Sequence, residues 1–209
     1  MLLKEMISGQ EIILETGNYY FSPKGIDKGT LLLLSKVQVT KDDKVLDLGC
    51  GYGVVGICIA KLIGGEHVVM SDVSEEALSL TTDNLKRNSL NNVRVLKSEG
   101  FKEIPDKDFT WILSNPPYHT DFSVAKAFIE DSYKRLVHDG RLIMVTKRLT
   151  WYRNKITSVF GGVKVFEQDG YYVFVAEKRK GNRTTQMQEK QKLSKKLKRK
   201  YGEKQIKRR

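Results

Sequence analysis

The chain is short of several things that define other classes of protein. It has two cysteines and three histidines in 209 residues. Cys50 and Cys58 lack metal-ligand spacing, and a glycine loop followed by a helix predicts that both are reduced packing residues. His67 reads as a strand entry and His138 as a helix end, so with His119 they form no metal set. No stretch approaches the roughly 20 consecutive apolar residues of a membrane span. The leucine run at residues 31–34 is too short for a signal-peptide core, and the N-terminus lacks the charged-then-apolar layout, so the expected location is cytoplasmic. Acidic residues nearly vanish at the C-terminal end. Residues 178–209 hold 15 Lys+Arg against Glu189 and Glu203, a net +13, while residues 1–177 are close to neutral at −1.

What remains fits one domain with an appendage, and 40% hydrophobic residues is enough for one sizeable core. A basic arm on a neutral globule is a common footprint of nucleic-acid binding. The rival reading is a solvated solubility tail. An anionic membrane surface fits less well, because the arm is poor in large apolar residues. From Lys178 onward only Met187, Leu193, Leu197 and Tyr201 form a thin stripe among lysines, which predicts a segment disordered alone and able to order on a polyanion.

The chain alternates strand and helix signals. Residues 11–21 alternate loosely around Gly17-Asn18 and predict a β-hairpin. Asp27 is a candidate N-cap for a helix through residues 31–34. A buried strand at 44–48 runs into Gly49-Cys50-Gly51-Tyr52-Gly53, then into helical periodicity at 54–63 that Gly64-Gly65 stops. Strand, glycine loop, helix is a layout in which backbone approaches a nucleotide closely. The strand at 67–72 ends in Asp72, placed to accept from ribose hydroxyls. Ser74 caps a helix at 75–87, with acids in its first turn. Strands follow at 93–96 and 109–114, a helix at 122–137 ended by Asp139-Gly140, a strand at 141–146, a helix at 151–160 and a closing hairpin over 163–176. The expected architecture is a mostly parallel sheet covered on both faces, with an antiparallel edge.

The strand at 109–114 ends on Asn115-Pro116-Pro117-Tyr118. Two prolines stop a ladder abruptly and restrict the residue before them. Asn115 is thereby held at the strand's C-terminal edge, with its carboxamide and the next carbonyls facing a crevice. An exocyclic amine on an aromatic ring is a poor nucleophile, because its lone pair is delocalised. Acceptors aimed at its N–H hydrogens favour the pyramidal nitrogen that attacks an electrophile, and Tyr118 can stack on the ring. The plain alternative is a Pro-Pro turn preceded by a turn-favouring Asn.

Gly51-x-Gly53-x-x-Gly56 also fits the dinucleotide fingerprint, so a nicotinamide-dependent oxidoreductase is a rival. Asp47 two residues before a Gly-x-Gly-x-Gly loop matches instead the S-adenosylmethionine motif of class I methyltransferases. The chain from about residue 18 to 178 resembles the small-domain (MTS) methyltransferases, which include the 16S ribosomal RNA guanine-N2 methyltransferases. The resemblance rests on Phe21-Ser22 with Gly25, on Asp27-x-Gly29-Thr30, on Leu46-Asp47-Leu48-Gly49-Cys50-Gly51-Tyr52-Gly53, on Asn115-Pro116-Pro117 and on Gly170-Tyr171-Tyr172. It implies a seven-stranded, Rossmann-like α/β fold with S-adenosyl-L-methionine as cofactor. By the same resemblance Asp47, Gly49 and Gly51 line the methionine and ribose side, Gly29 and Thr30 lie beside the methionine, Asp72 holds the ribose, Glu99 lies near adenine, and Cys50 and Val73 are also cofactor-binding. Asn115, Pro116, Pro117 and Tyr118 are the implied catalytic group, with Asn115 also beside the cofactor.

The two-domain members carry a degenerate N-terminal copy of the catalytic domain that this chain lacks, and the family pattern does not require the basic tail. The expected layout is a hairpin and helix over residues 1–40 packed on the catalytic domain, a methyltransferase core over 41–178 and a basic tail over 179–209. The expected reaction is methyl transfer to an exocyclic base amine, most simply guanine N2 of ribosomal RNA, with RNA or a ribosomal subunit as partner and no membrane. Alternatives are an adenine or cytosine amine, a protein glutamine amide, and a non-catalytic RNA-binding ribosome-assembly factor. His119 reads as a rim residue rather than a base, since the amine proton can leave to solvent. Lys147, Arg148 and Arg153 fit either a phosphate path or a solvated loop.

Overall fold

The computed structural model describes residues 1–16, 25–116 and 122–180. Met1–Lys178 is one compact unit, and the chain from Arg179 onward is a separate one. The expected turn at Gly17-Asn18, Phe21, Ser22, the motif residues Pro117 and Tyr118, His119 and the basic tail from Gly181 all lie outside the described residues.

The α/β fold expected from the sequence is present. A seven-stranded sheet runs β5(Arg94–Lys97), β4(Val68–Asp72), β3(Val45–Leu48), β6(Phe109–Ser114), β7(Leu136–Thr146), β9(Tyr171–Glu177), β8(Lys164–Gln168). The first five are parallel, and β9 and β8 form the antiparallel edge. Neighbours β4 and β6 lie on opposite sides of β3, so the strand order reverses there, and an α/β sheet opens a crevice at the strand C-termini at such a point. All four residues of β3 are buried, as a strand covered on both faces requires.

Side chains divide between two cores. On one face Val45, Trp111, Leu113, Ile143 and Val173 pack with α1(Lys28–Leu34) and α2(Val54–Ile63). On the other, Leu46, Leu48, Ile112, Leu142, Met144 and Phe174 pack with α4(Phe122–Arg135) and α5(Leu149–Phe160). Each fully buried Leu, Ile or Phe is worth about 1.5–3 kcal/mol. Both predicted caps form: Asp27 accepts from the Thr30 N–H at the start of α1, and Ser74 accepts from the Ala77 N–H at the start of α3(Glu75–Arg87). Among the described residues no helix is long and apolar enough to cross a membrane.

The described N-terminal hairpin pairs β1(Leu2–Ile7) with β2(Gln10–Glu15) and turns at Ser8-Gly9, while the turn expected at Gly17-Asn18 lies outside the described residues. Ser8 and Gly9 both have positive φ, 51° and 78°, the two-residue connection that matches strand twist. The helix expected to reach residue 137 stops at Arg135, because Leu136 is buried and enters the ladder opposite Phe109.

The outer edge of β2 is closed by a helix rather than a strand. Asn84 and Asn88 lie four apart on one face of α3. The Asn88 amide accepts from the Ile13 N–H at 3.0 Å and donates to the Ile13 carbonyl at 2.6 Å. Asn84 does the same for Glu15, at 2.7 Å and 3.0 Å, and also donates to the Tyr52 carbonyl at 2.9 Å. Both residues are buried, so two side-chain amides satisfy backbone groups that would otherwise lack partners.

Candidate functional site

The C-terminal ends of β3, β4 and β6 open into a cavity of about 370 Å³, within the size range of small-ligand sites. Asp27, Thr30, Asp47, Gly49, Cys50, Gly51, Asp72, Val73, Glu99 and Asn115 all line it. Of the residues expected beside a cofactor, Gly29 alone does not. It lies inside α1, where an added Cβ would come within 2.5 Å of the Tyr171 ring.

The glycine loop is bound to itself and to the sheet. Gly49, Gly51 and Gly53 take φ of 75°, 57° and 95°, which an L side chain adopts only with strain. That backbone lets the Gly49 and Cys50 N–H groups donate to the Ser71 carbonyl, at 2.8 and 2.9 Å. The Gly51 N–H donates to Asp72 Oδ2 at 2.9 Å, and Thr81 Oγ1 donates to the Gly51 carbonyl at 2.7 Å. Asp72 Oδ1 also accepts from the Ser74 N–H at 3.0 Å. Asp72 is thus both the turn acid and a wall of the cavity.

Asp47 is 2% exposed and accepts from the Gly56 N–H in the first turn of α2 at 2.8 Å. Burial pushes its carboxyl up to about 7; the Gly56 hydrogen bond offsets part of that rise, and neighbouring Asp72 adds to it. A carboxylate of the chain itself therefore takes a helix N-terminus that dinucleotide-binding proteins reserve for phosphate. Among the described residues the lining set includes Asp27, Asp47, Asp72 and Glu99 and no Lys, Arg or His. Carboxylates there disfavour a pyrophosphate and favour a cation. Burial, and the same acids Asp47 and Asp72, hold the Cys50 thiol well above its usual range. Cys50 and Cys58 are both buried and unbridged.

Asn115 follows the last residue of β6, and buried Pro116 follows it. Its Nδ2 donates to Thr30 Oγ1 at 2.9 Å and to Asp27 Oδ2 at 3.2 Å. Opposite, Phe128 of α4 lies against Gly49 and Gly100, with Val124 beside it on the cavity wall. Sequence reading missed Phe128, Val124, Tyr52 and Ser98 as lining residues. Phe128 and Val124 are four apart in α4, so one inward face of that helix was the signal available. Burial pushes the Tyr52 hydroxyl up to about 12.

Glu99 sits on the exposed rim, where its carboxylate pairs with Lys102 at 2.6 Å. Lys147, Arg148 and Arg153 are exposed beyond the end of β7 and do not line the cavity. Lys147 lies over the Tyr171 ring at 4.7 Å, and Arg148 over Phe122 at 4.9 Å, which itself stacks on Trp151 at 4.4 Å. His67 lies 3.7 Å from Glu66 and His138 is exposed in β7, and neither lines the cavity.

Comparison with known proteins agrees with this geometry. The family model for the methyltransferase small domain (MTS) matches residues 11–176. A Bacillus subtilis protein known only as uncharacterized protein YbxB is 31% identical over 164 residues, covering 76% of this chain and 82% of that protein. Ribosomal RNA small subunit methyltransferase C of Shewanella amazonensis is 36% identical over 164 residues, covering 76% of this chain and 47% of that protein. This chain thus spans about half the length of that relative. Among solved structures, the T. Thermophilus 16S rRNA N2 methyltransferase RsmC, in complex with AdoMet and guanosine, matches with a TM-score of 0.78 at 26% identity, over 86% of this chain and 50% of that one. The chain belongs to the methyltransferase small-domain family.

Proposed function

We propose that this protein is an S-adenosylmethionine-dependent methyltransferase that acts on an exocyclic base amine, guanine N2 of ribosomal RNA. The observation that carries the reading is a cavity whose charged lining, among the described residues, is acidic, paired with an oriented asparagine on its wall. The donor set fits the cofactor. Asp47 and its neighbours suit the ammonium and sulfonium charges, Asp72 suits the ribose hydroxyls, and Phe128 suits a planar base. A nicotinamide dinucleotide fits poorly, since its pyrophosphate would meet carboxyl groups and, among the described lining residues, no cation. When bound, S-adenosylmethionine supplies a methyl group already activated on sulfur.

The chain's own residues then have defined tasks. Asn115, with the Pro116 carbonyl, accepts the hydrogens of the incoming amine and favours its pyramidal form. Phe128 and the glycine loop orient the donor, and positioning supplies most of the acceleration. Pro117 and Tyr118 complete the group, Tyr118 by stacking on a base that is unpaired or flipped out. The amine proton leaves to solvent. Lys147, Arg148 and Arg153 lie on the same edge of the sheet and suit the RNA backbone, and the basic tail adds salt-dependent affinity without base readout. Such a substrate places the protein in the cytoplasm.

The relatives named above support ribosomal RNA as the substrate class. The test is transfer of labelled methyl from S-adenosylmethionine to separated RNA, DNA and protein fractions, with nucleoside analysis of the labelled one. N2-methylguanosine in ribosomal RNA is the expected product. Label in another base or in protein would refute the substrate, and no label in naked RNA or in ribosomal particles would refute the enzyme.

A further inference from the structure

The hydrogen bonds around Asn115 continue beyond the cavity to a residue 144 positions from Asp27. Tyr171, the first residue of β9, donates its hydroxyl to Asp27 Oδ1 at 2.6 Å. Asp27 Oδ2 accepts from the Thr30 N–H at 3.1 Å and from Asn115 Nδ2 at 3.2 Å. Thr30 Oγ1 accepts from the same Nδ2 at 2.9 Å. We infer that Tyr171, acting through Asp27, is a positioning residue that fixes the Asn115 amide with its oxygen turned away from Asp27.

The argument is one of donor and acceptor inventory. A primary amide has two N–H donors at one end and an acceptor at the other, and the two ends have nearly the same shape. A carboxylate oxygen only accepts, so the end of Asn115 that meets Asp27 must be Nδ2. Turned over, Asn115 would set its carbonyl oxygen against Asp27 Oδ2 and present N–H groups where an amine's hydrogens need an acceptor. Asp27 opposes that turn, provided that its carboxylate stays in place.

Tyr171 holds the carboxylate there. Tyr171 is 9% exposed, and its ring packs on Gly29, the residue before Thr30, so closely that no Cβ fits between them. Lys147 Nζ lies over the ring, 4.7 Å from its centroid. A cation near a phenol strengthens the phenol as a hydrogen-bond donor. Tyr171 therefore makes a short bond to a charged acceptor, the strong kind, from a site on the antiparallel edge that does not itself line the cavity. The same contact gives Gly29 its reason: a larger residue would displace the ring that holds Asp27.

This inference rests on the proposed reaction, so its test keeps the two apart. Tyr171→Phe removes the hydroxyl and leaves the ring. Asp27→Asn keeps an acceptor for the α1 cap but allows a donor to face Asn115, and so permits the turned amide. Each should lower kcat by about tenfold, the scale of one lost bond to a charged group, and Tyr171→Phe should leave the KM for S-adenosylmethionine within about twofold. In the Asn115→Ala background Tyr171→Phe should cost nothing further, because the residue it acts through is gone. An unchanged kcat in Tyr171→Phe, or a loss that adds in full to that of Asn115→Ala, would overturn the inference. A second readout needs no activity: the side-chain amide resonances of Asn115 in ligand-free protein should move in Tyr171→Phe. Absence of methyl transfer by the wild type together with that movement sinks the reaction and keeps the positioning; unmoved resonances sink the positioning.

Discussion

Replacing Asp47 by Asn removes a carboxyl group that the fold buries at a cost, and the cost can be read as a pH dependence. The Asp47 carboxyl has a pKa near 3.8 when exposed and about 7 in the folded chain, with burial the first cause. Between those values the native state holds a proton that the unfolded state has lost, so stability falls as pH rises. The loss begins near pH 4, is complete just above pH 7, and totals on the order of 4 kcal/mol at 1.36 kcal/mol per pKa unit. Asn keeps the oxygen that accepts from Gly56 and has no such titration. The stability of Asp47→Asn relative to wild type should therefore rise by about 3 kcal/mol between pH 4.5 and pH 8. For a chain of this size that corresponds to roughly 6–12 °C in Tm. The assay is urea denaturation of both proteins, ligand-free, at several pH values. Taking the difference removes the surface carboxylates that both proteins share. A difference that stays flat from pH 4.5 to pH 8 would show that Asp47 titrates in the ordinary carboxylate range, and would refute burial as the control of its protonation.

Other perturbations follow from the same contacts. Asn115→Ala should lower methyl transfer by about 10²-fold or more while the protein still binds S-adenosylmethionine, a split that calorimetry and turnover together measure; retention of turnover would remove Asn115 from the reaction. Asn84→Ala strips partners from Glu15 and Tyr52 and should cost about 2–4 kcal/mol in denaturant unfolding, since buried groups are left unpaired. Gly29→Ala drives a Cβ into the Tyr171 ring and should cost about 1–3 kcal/mol, whereas Gly51→Ala meets no atom within 4 Å and should cost only the roughly 1–2 kcal/mol of its positive φ. No loss of stability in Gly29→Ala would refute the close packing at Tyr171. Deleting residues 181–209 should flatten the salt dependence of RNA binding, and an unchanged slope would exclude the tail from the interface.

Local chemistry was readable in advance. Asp27 and Ser74 cap the helices they precede, because capping depends only on residues within one turn. The run from Leu46 through Gly53 gave the strand, the left-handed loop and the helix start, and nine of the ten residues expected beside a cofactor line one cavity. What escaped was set by distance along the chain. Leu2–Ile7 does not alternate, and it becomes a strand only because β2 and the asparagines of α3 lie beyond it. Residue 136 looks helical until Phe109 is seen opposite it. The tie between Tyr171 and Asp27 spans most of the chain, and the raised carboxyl of Asp47 depends on every layer stacked around β3.

The two asparagines of α3 also set a timescale. An ordinary two-stranded ribbon exchanges its outward amide hydrogens with solvent quickly, through fraying alone. Here the outward N–H groups of Ile13 and Glu15 are bound by buried side chains, and Asn84 reaches on to Tyr52 at the edge of the glycine loop. Releasing those hydrogens requires α3 to separate from the hairpin, which also frees the Tyr52 carbonyl. Isotope exchange at Ile13 and Glu15 should therefore slow to the rate at which the glycine-loop cavity itself opens, and a peptide near the N-terminus becomes a clock for motions of a loop about 40 residues away.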